Sequence, residues 1–271
     1  MRIVEQYTSG KSATVPSEDA SVVTSSYAAV IDGATPKTSF RYPGGETPGH
    51  LAARLLAEAV SQLPDDIAAT PCIDLLSQAL HQEHVMPSDR PIASIVIYSV
   101  LRREVWMVGD CQFGYTDGLG TFHTVTGRKH IDRVLAEWRR DIITSYLSRG
   151  LMTAREIADH DPGRRIIQPF ITHQVHYQNL DQHNPFCYAM LDGQPIPHRF
   201  IRVCHLPIDV HTLVLATDGY PVLQPNLCDA EDTLQHLLSI DPLCIGPLLG
   251  TKGLHPGNVS YDDRTYLKLQ I

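Results

Sequence analysis

Tyr27-Ala28-Ala29-Val30-Ile31-Asp32-Gly33 is a short apolar run halted by Asp-Gly, the pattern of a buried strand that ends in a turn. Asp32 therefore stands at a strand end. The context returns at Thr212-Leu213-Val214-Leu215-Ala216-Thr217 before Asp218-Gly219, and a strand over Glu104 to Val108 runs into Gly109-Asp110. Outward from the first run, Thr47-Pro48 supplies a cap and a first-turn proline, with Leu51, Ala52, Leu55, Leu56, Ala59 and Val60 on one helical face. Thr70-Pro71 repeats the start signal and predicts a second helix reaching about His84. Ile92 to Leu101 is β-branched and apolar, Arg102-Arg103 turns it back, and Gln112 to Thr116 meets Asp117-Gly118 before Thr121 to Val125, a meander of hairpins.

A hydrophobic share of 43% over 271 residues can bury a substantial core, which excludes disordered, collagenous and coiled-coil classes. The formal charge of -8 argues against a non-specific nucleic-acid binder or a polybasic membrane-surface protein. Met1 to Tyr7 has no apolar leader segment and Ile92 to Leu101 is too short to span a bilayer. Cys72, Cys111, Cys187, Cys204, Cys228 and Cys244 form no C-x-x-C pair, as expected of thiols in a reducing compartment. The expected location is the cytoplasm.

Residues 128–165 differ in charge. They hold nine Lys or Arg against six Asp or Glu, and show helical spacing through Ile131, Val134, Leu135, Trp138, Ile142, Ile143 and Leu147 up to a stop at Gly150. Thr153-Ala154-Arg155-Glu156 is a capping box for a short helix ending near Asp161-Pro162. The stretch reads either as a solvated helical hairpin or as a basic flap beside an anionic substrate. Beyond it, Phe186 to Leu191 and Arg199 to Cys204 read as a hairpin, Asp229 to Leu238 and Leu243 to Leu249 as helices, and Arg264 to Leu269 as a final strand. No repeat or low-complexity linker divides the chain, so one α+β domain is expected.

Carboxylates recur where strands stop: Glu18-Asp19, Asp32, Asp110, Asp218 and Asp262-Asp263. Hard cations such as Mg²⁺ and Mn²⁺ take oxygen ligands, and a strand end followed by glycine lets a carboxylate and a backbone carbonyl approach one ion. One Asp-Gly alone is an ordinary turn; the set carries the signal.

Ser17-Glu18-Asp19-Ala20, Ala29-Val30-Ile31-Asp32-Gly33, Val108-Gly109-Asp110-Cys111, Leu215-Ala216-Thr217-Asp218-Gly219-Tyr220 and Asp262-Asp263-Arg264-Thr265, in this order, resemble the metal-dependent serine/threonine protein phosphatases of the type 2C class, as a divergent bacterial-type member. Leu147 to Glu156, followed by Gly163-Arg164-Arg165-Ile166-Ile167, is similar to the family's helical flap and the strand after it. The resemblance implies an α+β, four-layer α-β-β-α sandwich: two antiparallel sheets flanked by helices, spanning 1–271 as one domain with a flap at about 128–165. Carried over by position, it implies that Asp32 bridges two Mn²⁺ or Mg²⁺ ions with the Gly33 carbonyl as a further ligand. Asp218 and Asp262 then hold one ion, Glu18 the other through water, and Asp110 with Asp218 a third, weaker one; Asp19 replaces Glu18 if that pairing is displaced by one. Asp32, Asp218 and Asp262 become the catalytic set. The implied reaction is hydrolysis of phosphoserine or phosphothreonine by water activated between two divalent cations, with no covalent phosphoenzyme. The implied partner is a phosphorylated protein, with a serine/threonine kinase system as its source.

Two departures from the family pattern open another reading. Members carry an Arg a few residues before the Glu-Asp pair to bind the substrate phosphate, whereas Lys11 to Ser17 contains none and leaves Lys11 or Lys37 as substitutes, point charges in place of a bidentate fork. Ala34-Thr35-Pro36 follows Asp32-Gly33 and offers no leaving-group acid. A catalytically weak or inactive pseudophosphatase acting as a regulatory protein-binding module is the alternative. Gly10-Lys11-Ser12 lacks the upstream glycine of a phosphate loop, and His81-x-x-His84 and His173-x-x-His176 lack the partners of a zinc site.

Overall fold

Tyr27–Gly33 forms a strand, β3, buried along its whole length except at Asp32, because both of its faces are covered. Tyr27, Ala29 and Ile31 point into helices, while Ala28 and Val30 point into a second sheet. Side chains alternate along a strand, so two apolar neighbours demand a continuous apolar run in place of a polar-apolar alternation. Asp32 shares the parity of Ala28 and Val30, which aims it at the end of the space between the sheets.

The computed structural model describes residues 1–271. One antiparallel sheet has the order β2 (Asp19–Val23), β3, β4 (Ala93–Ser99), β5 (Glu104–Val108) and β8 (Arg202–His205). The other has the order β1 (Arg2–Ser9), β10 (Arg264–Gln270), β9 (Thr212–Ala216), β6 (Gln112–Thr116) and β7 (Phe122–Thr126). Val30, Val96, Tyr98, Val105 and Met107 of the first meet Phe113, Leu213, Leu215, Leu267 and Leu269 of the second across the central layer. Helices α1 (Pro48–Val60) and α2 (Ala69–Ala79) cover the outer face of the first sheet through Leu56, Ile73 and Leu76. Helix α6 (Leu227–Ile240) covers the other through Ala230, Leu234 and Leu238 against Val214, Ala216 and Tyr266. The expected sandwich is present. No helix is long and apolar enough to cross a membrane.

Between β7 and β8 the chain forms α3 (His130–Ser148), α4 (Ala154–Asp159) and α5 (Pro162–His173). The expected Thr153 capping box is present, with the Thr153 hydroxyl accepting from the Glu156 amide at 3.3 Å and the Thr153 amide donating to the Glu156 carboxylate at 2.7 Å. Gly163 to Ile167, expected as a strand, lies in α5 instead. Asp161 accepts from the Arg164 amide at 2.7 Å and Pro162 occupies the first helical position, so the pair expected to stop a helix starts one.

Other departures have local causes. The helix expected over Leu243 to Leu249 is absent, because the Asp241 carboxylate accepts from the amides of Ile245, Gly246 and Leu248 at 2.8–3.1 Å and offers the backbone a non-helical alternative. The hairpin expected between Phe186 and Cys204 does not form. Asp192 accepts from Gln178, Asn179 and the Gln194 amide, and the chain bridges to Ala93 through Leu191 while β8 pairs with β5. Helix α2 begins at Ala69, with Ala68 and not Thr70 at its cap, and stops at Ala79 short of His84, which adopts φ +60°. Strand β1 carries no clear sequence signal because it is an edge strand whose side chains are mostly exposed.

Arg139 ties the flap to this frame. Its side chain is fully buried; it ion-pairs with Asp161 at 2.7 Å and donates to the carbonyls of Leu243, Cys244 and Gly250. It is thus neither solvated nor turned to a substrate. Arg139→Ala leaves the carbonyls of buried Leu243 and Cys244, the half-buried Gly250 carbonyl and a carboxylate without their donor, and is expected to cost about 3 kcal/mol. Chemical denaturation should show that cost, and hydrogen exchange should show the largest loss of protection over residues 241–253; a change below about 1 kcal/mol would contradict the assignment.

Candidate metal centre

Both sheets end in carboxylates at one end of the sandwich. In the pairing of β2, β3 and β4, Asp19 lies opposite Asp32 and Asp32 opposite Ser94. Asp110 follows β5 and Asp218 follows β9, so the two sheets deliver one acid each to the point that Asp32 faces. Carboxylate oxygens of Asp32, Asp110 and Asp218 lie within 4.8 Å of one another. With Asp262 they line a cleft of about 570 Å³. Gly33 is required where it stands: a Cβ there would run into the carbonyls of Gly49 and Glu18, where β3 passes the start of α1. Gly109 holds φ +89° against Ser94, which places Asp110 at the rim.

The other expected residues are nearby but differently engaged. Glu18 is buried, accepts from the Thr47 hydroxyl at 2.6 Å and lies 3.6 Å from the Lys11 ammonium. Asp19 is not in the cluster of three; it accepts from the Thr217 hydroxyl at 2.8 Å. Lys11 contacts Asp263 at 3.1 Å and Asp262 at 3.7 Å, so three acids share its charge. Lys37 sits on an exposed loop and donates only to the Thr35 carbonyl, at 2.9 Å.

Sequence reading missed the cations and clamps of this site. The Lys129 ammonium, with 15% of the side chain exposed, reaches Asp110 at 2.7 Å and Asp132 at 3.4 Å. Lys252 reaches Asp262 at 2.7 Å. The Ser94 hydroxyl donates to Asp110 and accepts from its amide. Asp263 takes the amides of both Lys11 and Glu18, joining the two ends of the chain. In the sequence Lys129 is only one charge in the basic 128–165 stretch, and Asp263 only the second member of a pair. Arg128, Lys129, Arg133 and Arg164 line the cleft, so this side of the flap borders the acids.

The charges divide the cluster in two. Burial alone would raise Asp110, but Lys129 and Ser94 outweigh it and hold the carboxyl below its ordinary range. Asp262 is likewise held down against burial by Lys252 and Lys11. Asp32 has no such partner at contact distance: burial, then the charges of Asp19, Asp110 and Asp262, push it well up. Asp218 is raised by the same kinds of cause, desolvation first, although its side chain keeps an exposed edge that lets water screen it.

An acid raised in the folded state holds a proton that the unfolded chain has lost, so its penalty is absent at low pH and grows as pH rises from the ordinary carboxylate range through the folded value. In metal-free protein Asp32→Asn removes that penalty and is expected to raise Tm near neutral pH by a few degrees, with the gain shrinking on acidification. A calorimetric series across pH checks this; a lower Tm throughout would contradict it. The same protonation makes Mn²⁺ binding release protons, so affinity should fall as pH is lowered.

No family model and no curated protein sequence matches the chain. Solved structures do match. Serine/threonine phosphatase Stp1 from Staphylococcus aureus aligns with a TM-score of 0.52 at 13% identity, over 100% of this chain and 96% of that one. A bacterial serine phosphatase aligns with a TM-score of 0.51 at 14% identity, over 100% of this chain and 98% of that one. Two antiparallel sheets, their order and their helical covers thus give the chain the fold of the bacterial type 2C serine/threonine phosphatases.

Proposed function

We propose that the chain hydrolyses phosphoserine or phosphothreonine in proteins with the help of bound divalent cations. The observation that carries this reading is the convergence of Asp32, Asp110 and Asp218 from both sheets onto one point. Like charges brought together at strand ends, Asp32 and Asp218 among them pushed towards protonation, lower their free energy by admitting a cation, and an all-oxygen donor set suits Mg²⁺ or Mn²⁺. Asp32 and the Gly33 carbonyl would stand at the centre, Asp218 and Asp262 on one ion, Glu18 on the other, and Asp110 with Asp218 on a third. Bound there, the ions supply an acidified water and neutralise charge on the phosphoryl oxygens.

The chain's own residues position and balance. Ser94 and Lys129 fix the Asp110 carboxylate, and the Tyr261 hydroxyl donates to the Asp218 carbonyl at 2.9 Å and steadies the loop after β9. Asp263 holds Lys11 and Glu18 in place through their amides. With three acids sharing its charge, Lys11 is already committed within the site. The phosphate donor upstream would be a serine/threonine kinase in the same compartment.

The lysine pairs favour a second reading, a weak or inactive phosphatase that binds proteins. Lys11 lies between Glu18 and Asp262, Lys252 lies on Asp262, and Lys129 lies on Asp110, so three of the acids are neutralised by the chain itself. Turnover of a phosphothreonine peptide with Mn²⁺ separates the two. The phosphatase reading expects metal-dependent hydrolysis that falls by about 100-fold or more in Asp32→Asn and in Asp218→Asn. No hydrolysis, or hydrolysis indifferent to both substitutions, sinks it.

A further inference from the structure

Beside the cleft that holds the acids lies a second cavity of about 450 Å³ whose lining carries almost no acid. Lys11, Lys37, Arg139, Arg164 and Lys252 line it against one carboxylate, Asp161, in a chain whose formal charge is -8. The two cavities share a wall made by Thr35, Pro36, Lys37, Arg164, Lys252 and Tyr261, so a molecule reaching the acids can extend into the basic pocket.

The cations differ in what they still have to offer. Arg139 is spent on Asp161 and three carbonyls. Lys11 and Lys252 are paired with Asp262 on the rim. Arg164 donates through one nitrogen to the Thr251 carbonyl at 3.1 Å and has no carboxylate partner for the rest of its guanidinium; Lys37 has none either. Lys37, Arg164 and Lys252 all line the wall that the two cavities share, a grouping of like charge that an anion would relieve. Gln168 and Asn258, also on the lining, can donate hydrogen bonds to such an anion. The volume is of the order that accommodates a small polar group with part of its chain.

We infer that this pocket binds a second anionic group of the substrate, a carboxylate or phosphate on a residue neighbouring the phosphorylated one, with Arg164 and Lys37 as its principal contacts. The inference rests on the phosphoprotein reading above and narrows it to acidic or multiply phosphorylated segments. It also gives the basic flap a role: Arg164, at the start of α5, reaches over the boundary between the two cavities.

Fluorescence anisotropy on the Mn²⁺-loaded full chain tests it, with labelled peptides in which a non-hydrolysable phosphonate replaces phosphoserine and the neighbouring residues are Gln, Glu or a second phosphonate analogue. The Glu and doubly phosphonate peptides should bind about tenfold more tightly than the Gln peptide, and comparison of those two arms tells a carboxylate from a phosphate as the preferred group. Lys37→Met and Arg164→Gln should each remove most of the preference, and the double variant all of it. Lys37 is on an exposed loop, so Lys37→Met keeps the test valid if Arg164→Gln unfolds. Equal affinity for all three peptides in the unsubstituted protein, or a preference that survives Lys37→Met and the double variant, would overturn the inference. Failure of the phosphatase reading shows elsewhere, as absent turnover of a phosphoserine peptide by the same preparation.

Discussion

Sheet-on-sheet packing is the constraint on which the site depends. Val30, Val96 and Met107 against Phe113, Leu215 and Leu267 hold the two sheets in one register, and the strand ends carry Asp32, Asp110 and Asp218 wherever the sheets go. Hydrophobic burial there is strong and non-directional, whereas the repulsion among the three acids is local and opposes their approach. Burial wins, and the acids are left in an arrangement that a divalent cation would complete. The strain at Asp32 is therefore a consequence of the core and not of the loops around it.

Charge balance around the cluster is uneven. Lysines from three separate regions, Lys11 after β1, Lys129 before α3 and Lys252 before β10, each approach an acid of the site. Each ammonium is carried on a flexible stem, so a divalent ion at Asp110 or Asp262 would have to compete with a lysine. Such competition would set metal affinity by the lysines as much as by the ligands. Acids and cations meet at one boundary: Asp32, Asp110, Asp218 and Asp262 line the one cavity, and Arg164 and Lys37, which pair with no carboxylate, line both it and its neighbour.

Much of the frame is legible in the sequence because its signals are local. The run Tyr27 to Ile31, the Thr47-Pro48 start and the Asp117-Gly118 turn all give the elements they predict. The rest is decided by side chains that bond to the backbone in ways a periodicity does not register: Asp161-Pro162 starts a helix where a stop is expected, and Asp241 and Asp192 hold loops in place of a helix and a hairpin. At the site, the recurrence of acids at strand ends points to Asp32, Asp110 and Asp218, which the structure brings together. Lys129 and Arg164 cannot be singled out in the same way, since nothing in a run of nine cations says which of them turn towards the cleft.

The central claim is that the acids at the joined strand ends form a divalent metal centre. Anomalous diffraction from crystals grown with Mn²⁺ tests it most directly. The account predicts manganese peaks bounded by Asp32 and Asp218, with the nearby lysines displaced from any acid that ligates. A map with no manganese at Asp32, and with Lys129 and Lys252 still on their carboxylates, would contradict it.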